Sequence, residues 1–151
     1  IEDCVVKIFL AGLALLFVSC GAPDRLRIRQ FHLRDAEAAS GDPFIRAEMN
    51  KRLHGAVTAE ERNLRRGNYY HIRWHGLSGA KEVKLVFEYR QVRTGASVKK
   101  LVKVIPASQS GDRQIVIGGE DYLKNGRVLA WRVKLYDGKD LVSKKQSYLW
   151  D

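Results

Sequence analysis

The sequence predicts a mainly β fold, an antiparallel sandwich with a short helical insert at about residues 42–66 after the first strand. Three observations carry this. From Tyr69 onward apolar and polar residues alternate with a period of two, the repeat of a half-buried strand. The alternating runs are short and separated by Gly, Pro, Asp and Ser, the spacing of an antiparallel sandwich. Helix-start chemistry is concentrated between the first run and the second. At 151 residues and 45% apolar composition, the chain is long enough for one core without disulfide staples.

The N-terminal segment comes first. Ile8–Val18 is uncharged and strongly apolar, with Lys7 before it. Eleven residues fall short of the roughly 20 that cross a bilayer and match the apolar region of a signal peptide. The run ends in Phe17-Val18-Ser19-Cys20-Gly21, which resembles the lipobox of bacterial lipoprotein precursors, with Phe17 in the usual Leu position. The resemblance implies that residues 1–19 are a removed signal peptide. It also implies that Cys20 carries diacylglycerol and an acylated amino group, and that residues 20–24 tether the domain to a membrane. Gly21, rather than Asp, after the acylated Cys implies the outer membrane, facing the periplasm. Ile1–Val5 carries two acids and no Met, so Val6 is the expected initiation site.

Residues 25–151 are expected to form a single sandwich domain that includes an insert over 34–67. In Arg25–Leu33, Leu26 and Ile28 share one face and Arg25, Arg27 and Arg29 the other, as in a half-buried strand. Asp42 then serves as an N-cap and Pro43 fits the first helical turn. Ile45, Met49 and Leu53 recur every four residues as an apolar stripe, and Gly55 stops the helix. Thr58 and Glu61 fit a capping box for a second helix, which Gly67 is expected to end.

The remaining strands follow. Tyr70, Ile72 and Trp74 share a face, with Tyr69, His71, Arg73 and His75 opposite. Val83, Leu85, Phe87 and Tyr89 line the next strand, Val98–Ile105 is the third, and Ile115 and Ile117 mark a short fourth. Leu129, Trp131, Val133 and Leu135 line a fifth. Asp137-Gly138 signals a type I′ turn, and Leu141–Trp150 is the last strand. The closing stretch WRVKLYDGKDLVSKKQSYLW resembles the final hairpin of an immunoglobulin-like or fibronectin-type module, a likeness covering about residues 68–151. That likeness implies a two-sheet sandwich. Without the cysteine pair of antibody domains, Trp74 and Trp131 would fill its centre.

No catalytic or cofactor motif is present. The Ser-Gly-Asp triplets at 40–42 and 110–112 read as turns, and no Gly-rich loop precedes a Lys-Ser/Thr phosphate clamp. His71 and His75 point the same way on one strand but lie about 13 Å apart, too far for one metal ion. Glu120-Asp121 offers two acids where calcium wants six or more oxygens, so it reads as a turn. The two cysteines, Cys4 and Cys20, lie at the N-terminus and supply no metal cluster.

Charge is the informative signal. The net charge is +10, which favours anionic partners. Lys84, Arg90, Lys99, Lys100 and Lys103 fall on two successive strands and form a candidate anionic-surface patch, with Arg25, Arg27 and Arg29 extending it near the tether. The alternative is that lysines on an edge strand block aggregation. The expected function is a non-enzymatic, lipid-anchored cell-envelope interaction module that contacts anionic lipid, an acidic glycan or an envelope protein. The alternative is a carbohydrate- or peptidoglycan-binding module. Export argues against a nucleic-acid partner.

Overall fold

A computed structural model describes residues 24–35, 41–79 and 81–151. The expected signal peptide, Cys20, and most of the 20–24 tether lie outside the described residues. Seven strands form two sheets: β1 (Leu26–Leu33), β2 (Gly67–Trp74), β3 (Val83–Gln91), β4 (Lys99–Ile105), β5 (Gly111–Gly118), β6 (Val128–Asp137) and β7 (Asp140–Gln146). One sheet has the order β1-β2-β5 and the other β4-β3-β6-β7, and all neighbours pair antiparallel. This is an immunoglobulin-like sandwich. In the constant-type arrangement the fourth strand joins the sheet of the first; here β4 pairs with β3 instead.

The period-two alternation builds the core. Leu26, Tyr70, Ile72, Trp74, Ile115 and Ile117 from one sheet meet Val83, Leu85, Phe87, Tyr89, Val133 and Leu135 from the other. Tyr70 and Phe87 bridge the sheets with ring centroids 4.7 Å apart. Each such large side chain contributes about 1.5–3 kcal/mol by leaving water.

Between β1 and β2 lie α1 (Pro43–Leu53) and α2 (Ala59–Leu64). Asp42 caps α1 by accepting from Phe44 N at 2.8 Å. Thr58 and Glu61 form the capping box, with Glu61 N donating to Thr58 Oγ1 at 3.1 Å and Thr58 N to Glu61 Oε2 at 3.0 Å. The apolar stripe of α1 is not a core face, however. No residue of the helix is buried, and Phe44 is 87% exposed. Arg52 makes the attachment instead. Its guanidinium lies 4.6 Å over the Tyr69 ring, holds Glu48, and donates to Gln114 Oε1 at 2.8 Å. Tyr69, expected on the wet face, is therefore buried beneath α1 and Phe31.

Five further expectations are corrected. Gly67 does not end α2 but begins β2, where a Cβ would stand 2.5 Å from the Ile117 carbonyl oxygen. The fifth apolar face breaks at Leu129: Arg90 pairs with Ala130 and Gln91 with Val128, so Leu129 is the extra residue of a bulge and is 38% exposed. A bulge shifts the phase of everything beyond it. At Asp137-Gly138 only Gly138 has positive φ, the pattern of a turn with glycine first rather than type I′. The last strand ends at Gln146, and Tyr148–Trp150 forms a 3-10 turn that buries Trp150. Glu120 and Asp121, read as a turn, occupy the first turn of a third helix, α3 (Gly119–Asn125).

Candidate functional site

Strand register decides where the cations go. In β3 the odd-numbered residues face the core, so Lys84, Val86, Glu88 and Arg90 face outward. Lys84 stands beside Val104 and Tyr136, and Glu88 beside Lys100 and Arg132. Lys134 stands between Val86 and Lys144. The outer face of β4-β3-β6-β7 thus gathers Lys84, Arg90, Lys100, Arg132, Lys134 and Lys144 around one strand carboxylate, Glu88.

That carboxylate is already paired. It accepts from Arg132 Nε at 2.7 Å and pairs with Lys134 Nζ at 3.2 Å. Burial alone would raise its pKa, but the hydrogen bonds and charges of Arg132 and Lys134 outweigh burial and hold it below the ordinary carboxylate range. Trp150 packs at one end, with the guanidinium of Arg90 4.7 Å and that of Arg132 4.6 Å from its ring centre. Arg90 also donates to the Trp150 carbonyl at 3.0 Å. Lys84 Nζ lies 4.8 Å from the Tyr136 ring centre. Lys100 and Lys144 are exposed and make no ion pair among the described residues. Val102, Val104 and Leu141 are exposed on the same face.

The five residues singled out from sequence are divided by this register. Lys84, Arg90 and Lys100 share the outer face. Lys99 and Lys103 pair with Tyr89 and Leu85 and so lie on the inner side of edge strand β4. Lys99 is bound to Asp121 Oδ1 at 2.5 Å. Burial opposes ionisation of Asp121, but hydrogen bonds from Lys99 and Asn125 outweigh it and lower its pKa. Arg27 and Arg29 belong to the other sheet, opposite Arg73 and His71. Cys20 lies outside the described residues. Arg132, Lys134 and Lys144 were missed, although Arg132 and Lys134 occupy the polar positions of the predicted fifth strand. His71 pairs with Asp112 at 3.1 Å, and His32 Nε2 lies 2.7 Å from the Tyr122 hydroxyl.

Among solved structures, an immunoglobulin-like protein from Pseudomonas aeruginosa is similar to this chain at 16% identity and a TM-score of 0.34. The match covers 52% of this chain and 68% of that one. No protein-family model matches the chain, and no curated protein does.

Proposed function

We propose that this chain is a non-enzymatic module of the bacterial cell envelope, fibronectin-like in its switched fourth strand and held to a membrane by lipid on Cys20. It presents the outer face of β4-β3-β6-β7 to an anionic surface. The observation that carries this reading is the location of the cations. Edge protection accounts for lysines on β4 and β7, but Lys84, Arg132 and Lys134 lie on the two central strands. Lys134 and Lys144 also stand directly opposite each other, an arrangement that destabilises a sheet. Glu88 is already shared by two cations, and the six basic side chains outnumber Glu88 and Asp151, the acids at this face. Near an anionic membrane each basic residue contributes about 1 kcal/mol.

Co-sedimentation of residues 21–151, which contain both sheets, with vesicles containing phosphatidylglycerol tests the face. Binding is expected at low salt and should fade as the Debye length falls from about 10 Å at 0.1 M to about 3 Å at 1 M. Lys84→Glu with Lys100→Glu should reduce binding by more than about tenfold, whereas Lys103→Glu, on the inner side of β4, should have much less effect. Equal binding by all three proteins would remove the reading. The anchor is tested separately: a palmitate analogue should label the wild type in cells and leave Cys20→Ala unlabelled.

A further inference from the structure

At the opposite end of β6 from its hairpin with β7, the sandwich opens. Gln30–His32 of β1, Arg127–Trp131 at the start of β6, and Ser147–Leu149 of the C-terminal turn enclose a cleft of about 450 Å3. The Leu129 bulge lies at this end, with Leu129 turned out of the core. Phe31, Tyr70 and Trp131 line it, and Tyr148, 97% exposed, stands at its rim.

The polar groups of the cleft are biased in one direction. Gln30 Oε1 accepts from Trp131 Nε1 at 3.0 Å, Asn68 Oδ1 from Val128 N at 2.9 Å, and Ser147 Oγ from Trp131 N at 3.0 Å. Each of these oxygens accepts one bond inside the protein, while the two amide NH2 groups and the Ser147 hydroxyl hydrogen have no partner among the described residues. Arg127 adds a guanidinium that has no hydrogen bond or ion pair among the described residues. At the same mouth, burial and then the charges of Arg127, Arg34 and Arg66 push the His32 imidazole below its ordinary pKa, as expected where positive charge converges. A cleft with these free donor groups and the Arg127 guanidinium suits an acceptor-rich anion.

We propose that this cleft binds a carboxylate-bearing sugar residue. A sugar ring offers C–H faces to the aromatic walls, and its oxygens and carboxylate accept from Gln30, Asn68, Ser147 and Arg127. A peptide carries as many backbone N–H donors as carbonyl acceptors, so it uses these free donors less fully than a carboxylate-bearing sugar. The volume lies within the range of small-ligand sites, roughly 300–1,000 Å3. This site is separate from the basic sheet face and does not depend on it.

The test uses the full chain in neutral detergent, titrated with glucuronate, with glucose, and with N-acetylalanylalanine. Binding is followed by NMR of the backbone amides and of the His32 ring. Glucuronate is expected to bind in the millimolar range and to shift the amides of residues 30–32, 68, 127–131 and 147–149. It should also raise the His32 pKa as its carboxylate offsets the three guanidiniums. Arg127→Gln, an exposed change, should weaken glucuronate binding at least tenfold and abolish the His32 shift while the fold persists. Lys84→Glu with Lys100→Glu should bind glucuronate like the wild type. Equal binding of glucose would remove the role of the carboxylate, and tighter binding of the dipeptide would make the cleft a peptide site. No glucuronate binding, or loss of it in the Lys84/Lys100 variant alone, would also overturn the proposal.

Discussion

Glu88 and Trp131 show what single residues settle in this molecule. Glu88 is the anionic centre of a cationic face, and its pKa is lowered by its two partners despite burial. A carboxyl with a depressed folded pKa adds stability above its unfolded value, near 4.5, and loses it as the pH falls through the folded value. Glu88→Gln should therefore lower stability at pH 7, by about 1–3 kcal/mol if both charge-assisted bonds are lost. The difference from wild type should shrink toward zero well below pH 4.5. Urea titrations at pH 7 and pH 3 check this, and an undiminished difference at pH 3 would disprove the ionic account. Trp131 was expected to share the core with Trp74, but only Trp74 is fully buried. Trp131 sits at the open end, its Nε1 bonded to Gln30 and its ring 5.9 Å from Tyr70. Trp74→Ala should cost about 3–5 kcal/mol, and Trp131→Ala clearly less. Near-equal losses in denaturant melts would place Trp131 in the core after all. The alternation of β6 was legible in the sequence. The place where the two sheets diverge was not, because it depends on β1 and the C-terminal turn.

At the scale of elements, local chemistry was legible and partnership was not. Asp42, Thr58 and Glu61 announce helix starts because a cap is a contact between residues two or three apart. The stripe of Ile45, Met49 and Leu53 suggested a helix packed into the core, yet α1 is fastened mainly by a guanidinium on a tyrosine ring. The period of a pattern does not say what lies opposite it. The bulge at Leu129 is similarly silent, since one extra residue in β6 leaves the sequence alternating across it. The lysines of β4 divide between two faces because successive residues of a strand alternate, which sets Lys99 and Lys103 against Lys100; the register with β3 then decides which face is the inner one. Helix α1 buries no residue, so its stability is expected to be local and low. Amides of residues 44–64 should exchange with deuterium much faster than those of β2, β3 and β6. Protection equal to that of the strands would show that the insert unfolds only with the sandwich. The β6–β7 turn supplies the converse case. Gly138 holds φ at +64°, and a Cβ there would stand 2.9 Å from Lys81 Cδ. Gly138→Ala should destabilise the domain by about 1 kcal/mol or more, measurable as a lower denaturation midpoint with an unchanged slope.

Across the whole molecule, charge is stored on both outer surfaces. The four-stranded sheet carries its six cations, and the three-stranded sheet sets Arg27 against Arg73 and Arg29 against His71. A surplus of like charge repels itself and weakens the compact state, so the folded chain should gain more from a bound polyanion than a neutral sandwich would. Anything that binds the folded state and not the unfolded one stabilises it by mass action. Inorganic tripolyphosphate at low millimolar concentration, matched in ionic strength with sodium chloride, should raise Tm. A gain of 1 kcal/mol corresponds to about 3–5 °C for a domain of this size. The increment should fall in a Lys84→Glu, Lys100→Glu, Lys144→Glu variant and persist in an Arg27→Gln, Arg29→Gln variant, because the outer face of the four-stranded sheet lies open while α1 attaches to the other. The comparison is between increments, so any change the substitutions make to the baseline Tm drops out. If the arginine variant loses the increment and the lysine variant keeps it, the anion-binding surface is the three-stranded sheet beneath α1. The cations of β3, β4, β6 and β7 would then serve only to keep the chain soluble.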